Sequence, residues 1–195
     1  MPVLADMPET FTSSSAFSCG VHPRELYAWR DAGETVELSR GVFRRADAPL
    51  AEHPDLLAVS YRAPRAIVCC VSAAAVHGLT DEQPVGVQVA VANGRHPPRI
   101  DYPPTRVFRF DPKTFELGLM SIEAAPAEQI RAYDPARTVT DLMRLRHRLG
   151  ESIAHTALNR YMTRSDGRPA LLLEYARELG VLGPMRRALD VVSAR

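Results

Sequence analysis

The hydrophobic pattern is clearest between Gly20 and Asp47 (GVHPRELYAWRDAGETVELSRGVFRRAD). Leu26 and Trp29 stand at i, i+3 with Val21 just ahead, which gives a short helix one apolar face. Pro23 suits the first helical position, where a missing N–H costs nothing, whereas His22 is a poor cap by residue type. Gly33 closes the helix as a C′ glycine. Two β-favouring runs follow, Glu34–Leu38 and Gly41–Arg45, joined through Ser39-Arg40 as a small hairpin. Upstream, Thr12–Ser18 predicts a serine-rich helix with Phe11, Ala16 and Phe17 as its apolar contacts, behind a loosely packed lead of about ten residues. Helix, helix, hairpin is the layout of a winged helix-turn-helix. Its second helix reads a major groove and its wing grips phosphate.

The pattern changes beyond Asp47–Pro54, whose two prolines and acidic residues read as a linker, with a domain boundary near residue 50. Asp55–Tyr61 is helical. Ala66–Val71 is a continuous apolar run that suits a buried strand. Ser72 is a good N-cap for a short helix over Ala73–His77, which Gly78 ends. Strands are expected at Val85–Ala92, Thr105–Phe110, Leu117–Ala124 and Glu128–Tyr133, with a proline-rich loop at Asn93–Pro104. Helices are then expected from Asp134 or Pro135 to Leu149, over Glu151–Thr163, over Ala170–Leu179 and over Pro184–Val192. The expected class is α+β: a winged helix-turn-helix over residues 1–50, then a small mixed β-sheet domain with a helical C-terminal part over 51–195.

Composition narrows the functional classes. The 195 residues are 46% apolar, as in globular proteins, and the net charge of +1 gives no general attraction to nucleic acid. Gly20–Asp47 is itself neutral, with Arg24, Arg30, Arg40, Arg44 and Arg45 against Glu25, Asp31, Glu34, Glu37 and Asp47. Lys113 is the single lysine among 24 basic residues, a bias that fits a GC-rich genome. No signal peptide is evident, and no apolar run approaches the roughly 18 residues of a membrane span, so the expected location is the cytoplasm. Cys19, Cys69 and Cys70 fit a reducing compartment and form no zinc spacing. No P-loop, GxSxG, HExxH or dinucleotide glycine motif occurs, so no catalytic residue, metal or cofactor is expected and the protein reads as a non-enzyme. His77, at the end of a short helix, reads as structural.

The strongest signal in the second half is DPARTVTDLMRLRHRLG, Asp134–Gly150, with an apolar stripe of Val139, Leu142, Met143, Leu145 and Leu149. Arg137 and Asp141, four residues apart, are expected to pair and fix this helix to the sheet. Arg131–Arg168 carries eight arginines against four acids, a surface suited to an acidic protein or nucleic acid.

The winged-helix stretch, VCCVSAAAVHGLT (Val68–Thr80), VGVQVAVA and IRAYDPARTVTDLMRLRHRLG together resemble the AbiEi antitoxins of bacterial type IV toxin–antitoxin systems. The resemblance implies an N-terminal domain that represses its own operon by binding operator DNA. It implies a second domain that neutralises a cognate toxin of the nucleotidyltransferase-like AbiEii class. His22, Arg24, Glu25 and Ala28 then fall where a recognition helix faces bases, and Arg40, Arg44 and Arg45 fall on the wing. Arg144, Arg148 and Arg160 are the candidate toxin-facing residues. Two departures are the short lead before Phe11-Thr12 and Arg30, where an apolar residue is common. The rival reading is a transcriptional regulator whose second domain senses a ligand near Asn93–Pro104. Oligomeric state and the route of neutralisation stay open.

Overall fold

The structure is a computed structural model that describes residues 3–96 and 98–193, so the expectations for Met1, Pro2 and Pro97 lie outside the described residues. It is mixed α+β with two sheets among the described residues and divides into two compact units. The first takes in the chain up to Arg65 with Pro98–Thr105 and Ile122–Ile130; the second takes in Ala66–Pro97, Arg106–Ser121 and the chain from Arg131 on.

In the first unit a 3-10 turn, Leu4–Asp6, precedes β1 (Thr10–Thr12), α1 (Ser13–Ser18), α2 (Pro23–Asp31), β2 (Thr35–Ser39), β3 (Val42–Arg45) and α3 (Pro54–Arg62). The strands form an antiparallel sheet in the order β1-β3-β2, with Phe11 opposite Phe43 and Val36 opposite Arg44. The serine-rich α1 holds through its cap. Thr12 Oγ1 accepts from the Ser15 amide at 3.0 Å, and Ser15 Oγ accepts from the Thr12 amide at 3.0 Å. His22 caps α2 despite its type, its Nδ1 accepting from the Arg24 amide at 3.2 Å. Gly41 turns the hairpin at φ +74°, and its amide donates to Glu37 Oε1 at 2.9 Å. Met7, Phe11, Ala16, Val21, Leu26 and Phe43 are the buried core, with Leu4 and Trp29 against it. The lead is therefore packed at Leu4 and Met7, which join that core.

The boundary expected near residue 50 is not where the first unit ends. α3 buries Leu56, Leu57, Ala58 and Val59 and packs on β2 and β3, so the unit runs through the helix to Arg65. Four consecutive buried residues surround the helix, and β2 and β3 cover one side of it.

The second sheet has the order β6-β5-β4-β8-β7, built from β4 (Ile67–Val68), β5 (Val87–Ala92), β6 (Thr105–Phe110), β7 (Leu119–Ala125) and β8 (Glu128–Tyr133). The unit division cuts β7 and β8, since residues 122–130 count with the first unit. β4 pairs antiparallel with β5 and parallel with β8, which makes the sheet mixed. Helices α4 (Cys70–Val76), α5 (Pro135–Arg144), α6 (Arg146–Leu149), α7 (Glu151–Thr163), α8 (Pro169–Glu178) and α9 (Leu182–Ser193) complete the unit. The run Ala66–Val71 is a two-residue strand followed directly by α4, not one long strand. Ser72 lies inside α4 instead of capping it. Its hydroxyl accepts from the Gln88 amide at 2.9 Å, while Gln88 Oε1 takes the Val71 amide at the helix start, also at 2.9 Å. The helix expected from residue 135 to 149 breaks at Leu145, where α5 ends and α6 begins.

Candidate nucleic-acid interface and a basic groove

α2 presents an outward stripe at i, i+3, i+4 and i+7: Arg24, Tyr27, Ala28 and Asp31, all exposed. Leu26 and Trp29 face inward. His22 is exposed just ahead of the helix and Glu25 is half-buried beside the stripe. The Arg24 guanidinium makes no ion pair among the described residues. Arg30, by contrast, is tied to Asp31 at 2.8 Å and Glu37 at 3.5 Å and stacks over the Tyr27 ring at 4.9 Å. Tyr27 is 43% exposed, leans edge-on against Phe43, and was missed in the sequence although it lies three residues from Arg24.

The three hairpin arginines have three different fates. Arg40 is exposed at the turn, and its side chain makes no ion pair among the described residues. Arg45 is half-buried and held by Asp47 at 2.9 and 2.7 Å and by the Met7 carbonyl at 3.2 Å. Arg44 corrects the sequence reading, because it is buried at 6% exposure and is not on a phosphate-facing surface. β3 is the central strand of its sheet, and the face opposite Phe43 is covered. There Arg44 donates to Thr10 Oγ1 and the Pro49 carbonyl at 2.6 Å each and pairs closely with Glu128. Tyr61 of α3 completes the cluster, its hydroxyl within 3.1 Å of the Thr10 carbonyl and of Glu128 Oε1. Burial, then the Glu128 charge, pushes the Tyr61 hydroxyl up to about 12.

In the second unit, Asp134 N-caps α5 by accepting from the Arg137 amide at 2.6 Å. Arg137 and Asp141 are both fully buried and pair at 2.9 Å. Arg137 Nη1 also donates to the carbonyls of Thr114 and Leu117 at 2.7 and 2.6 Å, and the guanidinium lies 4.3 Å from the Tyr133 ring centre. A Cβ at Gly118 would stand 2.6 Å from Arg137 Cβ, and Gly118 has φ +72°, so glycine is required to let the loop reach the arginine. Burial raises the Asp141 carboxyl, opposed by Arg137 and by Arg144 at 2.7 Å. This cluster fastens α5 to the loop after β6. Its Arg137 and Asp141 are out of reach of solvent.

Past it, Arg144 lies over the Phe110 ring at 4.5 Å, and Arg148 and Arg106 lie over Phe108 at 5.7 and 5.0 Å. These stacks border a cavity of about 410 Å³ lined by Val107, Phe108, Arg109, Phe110, Arg144, Leu145 and Arg148. Arg144 and Arg148 thus share one groove. Arg160 is not among its lining residues: it pairs closely with Asp81 and reaches the Gly78 carbonyl at 3.4 Å, so its charge is matched. Arg106 and Arg109 were missed in the sequence; their signal is the interleaving of arginine with phenylalanine in TRVFRF. A second cavity, about 470 Å³, is lined by Asp134, Tyr161, Asp166, Arg168 and neighbours, and residues 93–104 line neither cavity. His77 Nε2 lies 2.7 Å from the Tyr133 carbonyl, and burial lowers its proton affinity. Cys69 and Cys70 are buried, and burial pushes the Cys69 thiol up. Among the described residues no group of three or more His, Cys, Asp or Glu side chains is placed to hold a metal ion, and no helix is long and apolar enough to cross a membrane.

No protein-family model matches the chain, and no curated protein matches it. Among solved structures the fold resembles that of the RV2827C protein from Mycobacterium tuberculosis, with a TM-score of 0.50 and 14% identity over 95% of this chain and 77% of that one. At that identity the likeness concerns the fold alone.

Proposed function

We propose that the protein is a DNA-binding antitoxin of the AbiEi kind, which represses its own operon and neutralises a nucleotidyltransferase-like toxin of the AbiEii class. The observation that carries the DNA-binding half is the succession β1-α1-α2-β2-β3 with strand order β1-β3-β2. In that order a two-helix turn is closed by a hairpin, as in a winged helix-turn-helix, and α2 keeps an exposed outward stripe. His22, Arg24 and Ala28 are the base-facing candidates, joined by Tyr27. Arg40 is the phosphate contact of the wing, in place of the buried Arg44. The antitoxin half is supported by the motif resemblance in Val68–Thr80 and Ile130–Gly150 and by the arginine groove.

The test has two parts. Fluorescence anisotropy with a duplex from the promoter of the chain's own operon should show specific binding. Arg24→Ala should weaken it and relax sequence preference, each base contact being worth about 1–3 kcal/mol. Co-expression of the full chain should relieve growth arrest caused by the adjacent gene product. No duplex preference in the first experiment and no relief in the second would sink the respective halves separately.

A further inference from the structure

The geometry points to the β6–α5 groove as a docking site for an acidic, extended segment of a partner protein, which adds to β6 as an extra strand. β6 ends the strand order of its sheet and has one neighbour, β5, among the described strands. A cavity that touches four consecutive strand residues, Val107 to Phe110, must follow the strand's edge, because successive side chains point to opposite faces. An edge strand offers unpaired N–H and C=O groups, and pairing them with an extended peptide is a common mode of recognition.

Charge selects the occupant. Arg144 and Arg148 line the groove on the phenylalanine face, Arg106 joins them at its end, and Arg109 projects from the other face. Among the described residues no carboxylate lines the groove; Asp141 lies buried beneath Arg144. Arg106 and Arg148 make no ion pair among the described residues, and a guanidinium stacked on a ring keeps in-plane N–H donors for a carboxylate fork and loses little freedom when it binds, whereas Arg144 is already held by Asp141 at 2.7 Å. An added strand places side chains of one face about 7 Å apart, so acids at every second position meet the arginines of the phenylalanine face, and Arg109 adds its charge from the other. Single-stranded nucleic acid fits less well. Phe108 and Phe110 are 3% exposed and already covered by arginines, so no ring is open to stack a base. The partner's identity as the toxin rests on the antitoxin reading; the groove's chemistry does not.

The probe is the fluorescein-labelled peptide acetyl-Glu-Thr-Glu-Val-Glu-Thr-Glu-amide, titrated with the full chain in anisotropy at low salt. Arg106→Gln/Arg109→Gln/Arg148→Gln leaves the buried Arg137–Asp141 pair intact and should weaken binding at least tenfold. Arg186→Gln/Arg187→Gln, exposed on α9, should leave it within twofold. The same peptide N-methylated at alternate residues keeps every charge but cannot pair as a strand, and should also bind at least tenfold more weakly. The proposal is overturned by absence of binding, by equal loss in the two variants, by undiminished binding of the methylated peptide, or by a 15-nucleotide single strand that outcompetes the peptide through the same three arginines. None of these outcomes depends on toxin rescue. A positive titration with failed rescue would refute the antitoxin reading and leave the groove in place.

Discussion

Arg44 shows what a single residue contributes when its environment is read out of the fold. The side chain is 7% exposed and Glu128 is 16% exposed, so each depends on the other for compensation. Removing one partner of a buried pair costs about 3–5 kcal/mol, because the survivor keeps its desolvation penalty. Glu128→Ala should therefore lower unfolding stability in urea by about 3 kcal/mol, whereas Arg45→Ala, whose partner Asp47 is exposed, should cost much less. Equal effects would mean that Arg44 is solvated and free for DNA. His77 gives a pH signature. Its burial makes the folded protein bind the proton less readily than the unfolded chain does. The stability this represents is complete above the ordinary histidine range of about 6.5 and declines as pH falls through it. Thermal melts from pH 7.5 to 5.5 should show that decline, and His77→Gln, which can still donate to the Tyr133 carbonyl, should make it shallower.

Among the elements, α1 and β6 depart most from their propensities. A six-residue helix with four serines is weak in isolation, yet Thr12 and Ser15 satisfy each other's amides at its start and Ala16 is buried in the core. Thr12→Ala should cost about 1 kcal/mol, which lowers Tm by about 2–4 °C in a chain of this size. An unchanged melting temperature would show that the tertiary contacts of Ala16 alone hold α1. In β6 the exposed Arg106 and Arg109 are interleaved with the buried Phe108 and Phe110, which suits an edge strand. Charges at the rim discourage indiscriminate pairing and leave the edge selective for an acid-bearing strand.

For the whole molecule, a net charge of +1 says little about DNA affinity, because what counts is which arginines of α2 and the hairpin are left without a carboxylate. Of the five arginines in Gly20–Asp47, Arg30, Arg44 and Arg45 sit in ion pairs, which leaves Arg24 and Arg40. With Arg24 on a base, counterion release from the Arg40 phosphate contact gives a slope of about −1 per bound copy in log K against log salt, at about −0.9 per contact. Arg40→Ala should bring the slope nearer zero, and a slope steeper than about −3 would place further phosphate contacts outside α2 and the hairpin.

Local chemistry was legible along the chain. Periodicity marked α2 and α5. Proline marked their starts and Gly33 the end of α2, and alternation marked β5 and β6, because each signal depends on residues within one or two turns or strands. The i, i+4 spacing of Arg137 and Asp141 has the same local origin. What each charge faces was decided by tertiary structure. Glu128 is 84 residues from Arg44 in sequence and Asp81 is 79 from Arg160, so no local pattern distinguishes those buried or matched arginines from the free Arg24 and Arg40. The groove likewise joins a strand and a helix more than thirty residues apart. Secondary structure is written in neighbours. The free surface is what remains after distant partners have folded onto one another.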